Sequence, residues 1–301
     1  MNESKKTYSG FVALIGAPNV GKSTLVNRLV GTKVSIVTHK VQTTRALIRG
    51  IVIHNDAQIV LVDTPGIFNP KRRLDRAMVS TAWSGAKDAD LVLVLVDAAK
   101  GLDEETEQIF AALPKIKQEK ILVINKVDAV PRPSLLELSA KLNAGQNFSE
   151  TFMISALKGG GCDDLLDYLA KQLPEGPWYY PEDQISDMPM HQLAAEITRE
   201  KLYMRLHNEL PYASTVETES WEERPDGSVK INEIIYVERE GQKKIVLGAK
   251  GETIKAIGQA ARKELMEILD QKVHLFLFVK VRKSWGDDPE RYREMGLDFS
   301  N

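Results

Sequence analysis

Up to about Leu173 the chain alternates between two hydrophobic periods. Short runs of β-branched and aliphatic residues at Phe11–Ile15, Leu47–His54, Ile59–Asp63, Leu91–Asp97, Ile121–Asn125 and Thr151–Ser155 read as strands. Between them, apolar residues recur at helical spacing over Ser23–Val30, Leu74–Ala86, Glu104–Leu113, Ser134–Asn143 and Asp163–Gln172. The run "LVLVLV" at Leu91–Val96 has no polar face and predicts a strand covered on both sides. Strands that alternate with helices require crossover connections, hence a mostly parallel, doubly wound α/β sheet. Ligands on such sheets bind at the carboxyl ends of the strands.

The pattern changes after "LPEGPWYYPEDQISDMP", where Pro174, Pro177, Pro181 and Pro189 stiffen an extended connector. Beyond it, His191–Asn208 and Glu252–Asp270 have helical periodicity. Thr215–Glu223 and Val229–Glu238 flank the hairpin signal "RPDGS", and "VHLFLFVKV" (Val273–Val281) alternates as a strand. This is a smaller α+β domain. The expected division is residues 1–175, a connector at 176–190, a second domain at 191–285 and a tail at 286–301.

Composition narrows the class. The chain has 301 residues, 43% hydrophobic and 27% charged, which suits a globular protein of two domains. The lone Cys162 excludes an intramolecular disulfide and suits a reducing compartment. No signal-peptide-like segment and no apolar run of about 18 residues is present, so a cytoplasmic location is expected. A net charge of −2 carries no nucleic-acid signal, and any such ligand must be argued from local features. Cys162 is expected to start a helix without chemical work, Trp285 to pack, and the five histidines lack metal-ligand spacing.

The chemistry gathers at strand ends. "GAPNVGKST" leaves the first strand with the spacing Gly16-x-x-x-x-Gly21-Lys22-Ser23. Its glycines let successive backbone N–H groups turn inward at a helix N-terminus, making an anion cradle over Ala17, Asn19, Val20, Gly21, Lys22, Ser23 and Thr24. Lys22 is placed to bridge terminal phosphates and the Ser23 hydroxyl to ligate Mg²⁺. An ordinary glycine turn is the plainer alternative, and the flanking strand and helix argue against it. "LVDTPG" ends a strand at Asp63, whose carboxylate would hold Mg²⁺ through water, and Gly66 N–H would meet the terminal phosphate. "NKVD" places Asn125, Lys126 and Asp128 after another strand. A carboxylate there accepts from guanine N1–H and its amino group, whereas adenine would leave it unpaired. "SALKG" adds Ser155, Ala156 and Leu157, with the Ala156 N–H expected on guanine O6. Together these motifs specify GTP.

In this order the motifs resemble a translation-factor-class GTPase domain, and more narrowly the Era family of GTPases. "VQTTRALIRG" (Val41–Gly50) resembles that family's first switch, with Thr44 preferred to Thr43 as the hydroxyl that completes the Mg²⁺ shell. The resemblance makes Lys22, Thr44 and Gly66 the catalytic set. Ile67 stands where Ras-type GTPases carry a water-orienting glutamine, so slow intrinsic hydrolysis is expected. By analogy with related GTPases Asn19 would help hold K⁺; that it simply suits the turn is an equal alternative.

The second domain contains "KKIVLGAKGETIKAIG", with Gly248-Ala249-Lys250-Gly251 before a helix. Between Lys243 and Lys263 stand Lys243, Lys244, Lys250, Lys255, Arg262 and Lys263 against the single acid Glu252. Two glycines admit a nucleic-acid backbone, the helix N–H groups face phosphate, and the lysines add attraction. Ile245, Leu247 and Ile254 are candidates to meet unstacked bases. The element order resembles a type II KH domain, which makes "KKIVLG" a short helix although its local propensity is that of a strand. The RNA contacts implied are Lys243, Lys244, Gly248, Ala249, Lys250, Gly251 and Lys255. The family resemblance implies binding to the 3′ end of small-subunit ribosomal RNA and a part in assembly of that subunit; a monomer is expected. Peripheral association with the inner face of the cell membrane is left open. The competing reading is a GTPase switch that acts on a protein or membrane partner through its C-terminal domain.

Overall fold

A computed structural model describes residues 6–207, 210–283, 285 and 288–297. One compact unit takes in the chain up to Ser35 and Thr44–Asp187; a second takes in Ile36–Thr43 and Met188–Glu294.

The first unit holds β1 (Tyr8–Gly16), α1 (Lys22–Val30), β2 (Ile48–His54), β3 (Ala57–Asp63), α2 (Arg73–Asp88), β4 (Leu91–Asp97), α3 (Glu104–Ala112), β5 (Glu119–Asn125), α4 (Arg132–Asn143), β6 (Glu150–Met153) and α5 (Cys162–Gln172). Its six strands lie in the order β2-β3-β1-β4-β5-β6. β2 runs antiparallel to β3 and every other pair is parallel. All seven residues of β4 are buried, as a strand without a polar face requires. Leu25, Val26 and Leu29 of α1 and Leu165, Leu166 and Leu169 of α5 share one core with β1, β3, β4 and β5. Each fully buried aliphatic side chain there contributes about 1.5–3 kcal/mol. Cys162 opens α5, and burial pushes its thiol up.

The connector is not free chain. The amide of the buried Gln58 accepts from Tyr179 N (2.8 Å) and Tyr180 N (3.0 Å) and donates to Tyr180 O (2.8 Å). Ile51 N donates to Ile185 O at 2.9 Å, and Ser186 Oγ to Arg49 O at 2.8 Å. Up to Asp187 this segment therefore lies as an extended strip bound to the first unit.

The second unit holds α6 (Met190–Arg205), β7 (Ser214–Glu223), β8 (Val229–Val237), α7 (Glu240–Leu247), α8 (Glu252–Leu269), β9 (Val273–Val281) and α9 (Pro289–Glu294). β7 and β8 form the antiparallel hairpin, and β9 joins β8 in parallel as an edge strand. Two clusters, around Ile235 and Val237 and around Ile231 and Val273, fill the space under α6 and α8. Asn208, the expected last residue of α6, lies outside the described residues. "KKIVLG" is helical, against its local propensity. The Gln242 side chain accepts from Glu238 N (2.9 Å) and Arg239 N (3.0 Å), capping the helix, while Val246 is buried in the core. The tail, where no element was expected, contains α9, with Tyr292 buried and Arg291 stacked 4.7 Å over the Tyr236 ring. Trp285 is buried and donates to Ala213 O at 3.0 Å.

Among the described residues no helix is long and apolar enough to cross a membrane.

Candidate functional site

β1 delivers the chain into the glycine turn, and α1 begins at Lys22. Gly21 has φ +101°, and a Cβ placed there would lie 2.3 Å from Asn125 Nδ2. Only glycine satisfies both the dihedral and the space. Asn19 also adopts a left-handed conformation, φ +65°, which asparagine tolerates better than most residues. Its carbonyl accepts from Lys126 Nζ at 2.6 Å.

Lys22 is buried and donates to the carbonyls of Gly16 and Ala17, both at 3.1 Å. Burial lowers its pKa to about 8, opposed by the charges of Asp63 and Glu105. Asp63 is buried at the end of β3. Its Oδ2 accepts from Ser23 Oγ (2.6 Å) and Ser35 Oγ (2.7 Å) and lies 3.4 Å from Thr44 Oγ1. Ser23 Oγ and Thr44 Oγ1 are 3.0 Å apart. Asp63 Oδ1 is buried with no hydrogen-bond partner, and burial raises this carboxyl above its ordinary value. A buried lysine, an underused carboxylate oxygen and converging hydroxyls are the donor set that a divalent cation with phosphate oxygens would complete.

Thr43 faces elsewhere. Its hydroxyl is 2.6 Å from Thr38 Oγ1 and donates to Lys40 O at 2.6 Å. Within the second unit its carbonyl accepts from the buried Arg199 guanidinium at 2.5 Å, while Glu200 accepts from Val37 N at 2.8 Å. Gly66 passes so close to Pro18 that a Cβ would stand 2.9 Å from its ring, and Ile67 is buried in the core.

The end of β5 at Asn125 and the loop after β6 at Ser155 bring together the residues expected to meet a base. Asn125 Nδ2 donates to Val20 O (2.8 Å), and its Oδ1 accepts from Lys126 N (2.8 Å) and Ala156 N (2.9 Å). The Ala156 N–H expected on a guanine is thus engaged with Asn125. Lys126 Nζ pairs with Asp97 Oδ2 at 2.6 Å. Asp128 is exposed on a turn after β5. Ser155 and then Lys158, the latter at 3.2 Å, hold its carboxyl below the usual range. Leu157 is exposed, and its carbonyl accepts from Arg28 at 2.5 Å.

Three contributors escape sequence reasoning. Ser35 and Arg28 belong to no motif. Asp97 carried a legible signal, since a polar residue closing a buried strand at its carboxyl end belongs to the ligand edge of such a sheet.

In the second unit Gly248 has φ +74°, Lys250 φ +50° and Gly251 φ +79°, a sharp turn that leaves Ala249 and Lys250 exposed before α8. A Cβ on Gly248 would lie 2.2 Å from Thr253 Oγ1, whereas one on Gly251 meets nothing within 4 Å. Lys244 and Lys255 are exposed, Lys243 partly so, and Ile245 is 58% exposed; Leu247 instead packs into the core. A groove of about 350 Å³ runs between α8 and β9, lined by Ile254, Lys255, Gly258, Gln259, Arg262 and Leu275–Leu277. The wall from β9 went unforeseen because it is remote in sequence from the glycine turn.

A family profile described as "50S ribosome-binding GTPase" matches residues 11–126, and one described as "KH domain" matches residues 209–286. The chain is 73% identical over 297 residues to GTPase Era of Brucella suis, covering 99% of this chain and 96% of that relative. It is 70% identical to GTPase Era of Mesorhizobium japonicum over the same length and shares. Its structure is similar, at TM-score 0.91 and 40% identity, to Era in complex with MgGDPNP and nucleotides 1506–1542 of 16S ribosomal RNA, covering 96% of this chain and 99% of that one. An Aquifex aeolicus Era variant bound to GDP and AlF4⁻ matches with the same values.

Proposed function

The chain belongs to the Era family of GTPases, and on that premise we propose that it is a GTP-hydrolysing switch that binds the 3′ end of small-subunit ribosomal RNA and assists assembly of the small subunit. The observation that carries this reading is the pairing, in one chain, of the Lys22–Ser23–Thr44–Asp63 cluster with an exposed Gly248–Gly251 turn beside a groove. A relative with 40% identity and the same fold was solved with MgGDPNP and a 16S ribosomal RNA segment, which supports both ligands.

In this reading the backbone from Ala17 to Thr24 cradles the phosphates and Lys22 neutralises them, its charge restored by the incoming anion. Ser23 and Thr44 hold Mg²⁺, with Asp63 behind them; the ion would neutralise charge developing on the phosphate oxygens. Gly66 N–H addresses the terminal phosphate. Asp128 and Lys126 select guanine, and the Ser155–Leu157 loop closes over its edge. Ile67 brings no hydrogen bond to water, so intrinsic turnover is slow. Asn19 contributes to a K⁺ site, and equal turnover in K⁺ and Na⁺ would remove it from that role. Loss of the terminal phosphate releases the two loops that it orders. Lys243, Lys244, Lys250 and Lys255 approach the RNA backbone at the glycine turn.

The test is fluorescence titration of a short RNA with the small-subunit 3′-end sequence, against a scrambled RNA at fixed salt, in the GTP-analogue, GDP and apo forms. Sequence-selective binding that depends on the nucleotide is expected, and Gly251→Asp should abolish it while GTP binding survives. Absence of selectivity in every form would move the second unit to a protein or membrane partner.

A further inference from the structure

β9 reads "VHLFLFVKV", with apolar residues on both of its faces, yet among the described residues only one of them is packed under the helices. Leu275, Leu277, Val279 and Val281 pack into the clusters under the helices. Alternation therefore turns His274, Phe276, Phe278 and Lys280 to the opposite face. There Phe276 is 45% and Phe278 49% exposed, on a strand bonded to β8 alone. Two large aromatic rings held side by side in solvent are an unusual surface for a face that otherwise carries polar groups.

We propose that this face of β9 is a stacking platform that carries single-stranded RNA onward from the groove, Phe276 and Phe278 each taking one unstacked base. The inference rests on the RNA-binding reading above and deepens it. Same-face neighbours on a strand are about 6.7 Å apart, twice the ~3.4 Å rise of a stacked strand. A strand pulled out of its own stack can thus seat one base on each ring. Phe276 also lines the groove, so groove and platform share a rim. A glycine turn of this kind clamps about four nucleotides; a longer RNA must leave the groove, and this edge is adjacent to it.

Charge confines the path. Glu217, Glu219 and Glu222 line β7, the far strand, where Arg291, Lys280 (3.1 Å) and Lys230 (3.6 Å) pair with them. On β8, Asn232 and Ile234 stand opposite Phe276 and Phe278, and Asn232 Nδ2 donates to Ser220 Oγ at 2.7 Å. The β7 side, its charges already paired, offers a phosphate backbone no free cation at these glutamates, whereas Arg262 and Lys255 flank the groove beside β9 and attract it there. A protein partner finds only two rings among polar and paired groups, too little apolar area for a stable interface.

The experiment uses the full chain in its GTP-analogue form and two RNAs, a tetranucleotide from the small-subunit 3′ end and an octanucleotide that extends it. Phe278→Leu, outside the groove lining, keeps the apolar surface and removes one ring. It is expected to weaken the octanucleotide about tenfold and leave the tetranucleotide within about twofold. Phe278→Tyr should retain wild-type binding of both. A 2-aminopurine placed outside the clamped tetranucleotide should be quenched by the wild type and clearly less by the leucine variant. Undiminished octanucleotide binding by the leucine variant would overturn the platform and assign the face to a protein or a second copy. Equal loss for both RNAs would also overturn it, as damage to the groove. Failure of the wild type to bind either RNA would defeat the RNA-binding reading itself, a result distinguishable from both.

Discussion

Two glycine turns, each leading into a helix, solve opposite problems. At Gly21 the glycine is required from inside: Asn125 Nδ2 occupies the space a Cβ would need, and Ala17, Lys22 and Asn125 are all buried around it. At Gly251 a Cβ would meet nothing within 4 Å, and the neighbouring Ala249 and Lys250 are exposed. The first turn is a cage assembled before its ligand arrives, so its donors cost no reorganisation when charge develops. The second is an open hook with a free side at Gly251. Rigid closure suits chemistry on a fixed phosphate, and openness suits a polymer that must be threaded past.

The hardest break falls on the cage. Gly21→Ala forces a left-handed alanine against Asn125, and we expect GTP affinity to fall by about a thousandfold with the fold retained. Calorimetric GTP titration, paired with a thermal melt, checks it; affinity within tenfold of wild type would show that the cage can relax.

Next comes a contrast between two buried carboxylates. Asp63 is surrounded by hydroxyls and Lys22, whereas among the described residues neither oxygen of Glu233, on β8, has a partner in good hydrogen-bond geometry. Burial pushes Glu233 up to about 8 from 4.5, and only Thr198 opposes it. The folded state therefore keeps a proton that the unfolded chain releases above 4.5. That stabilisation is complete below the unfolded value and is lost as pH rises through about 8. Of the roughly 5 kcal/mol lost over the whole window, about 3 kcal/mol falls between pH 5.5 and pH 9. Urea melts of wild type and Glu233→Gln at pH 5.5 and pH 9 should diverge with rising pH, the glutamine protein gaining relative stability. Parallel behaviour at both pH values would mean that Glu233 ionises without penalty. Asp63 is common to both proteins and cancels from the comparison.

A smaller effect separates adjacent threonines. Thr44 Oγ1 reaches Ser23 and the Thr43 hydroxyl does not. Thr44→Ala should lower kcat about tenfold or more, and Thr43→Ala should leave it within about twofold. The reverse ranking would reassign the switch hydroxyl.

The nucleotide cage was more legible than the hook, for a physical reason. Its strands and motifs are local: a buried run, a glycine turn, then polar residues at the strand's carboxyl end. Sequence periodicity also placed β4 correctly, since "LVLVLVD" is buried throughout. The same reasoning applied to "VHLFLFVKV" finds the strand but not its exposed face. Apolar alternation reports a strand and cannot report how many layers cover it. Local propensity likewise misreads "KKIVLG", where Gln242 capping and Val246 burial decide for helix. Ser35, Arg28 and the β9 wall of the groove depend on tertiary approach and leave no spacing to read. The motif fixes Asp128 along the chain, and the exposure of its carboxylate follows from the turn after β5, which the motif does not encode.

The mildest test compares the two glycines of the hook. Gly248 combines φ +74° and ψ 175°, a region that only glycine occupies readily, with Thr253 Oγ1 2.2 Å from a Cβ. Gly251 has φ +79° with open space around it. Gly248→Ala must displace Thr253 from the first turn of α8 and should lower both tetranucleotide affinity and melting temperature. Gly251→Ala carries only the left-handed penalty, shared between free and bound states, and its methyl meets no protein atom. Tetranucleotide affinity should fall about threefold, with the melting temperature changed less than in Gly248→Ala. A loss as large as that from Gly251→Asp would mean that the RNA backbone touches the Gly251 Cα itself, making the hook as tight in the complex as the cage already is at Gly21. A loss below threefold with Gly251→Asp still inactive would assign the aspartate effect to charge, and the open side of the hook would then be read as an electrostatic approach to the RNA.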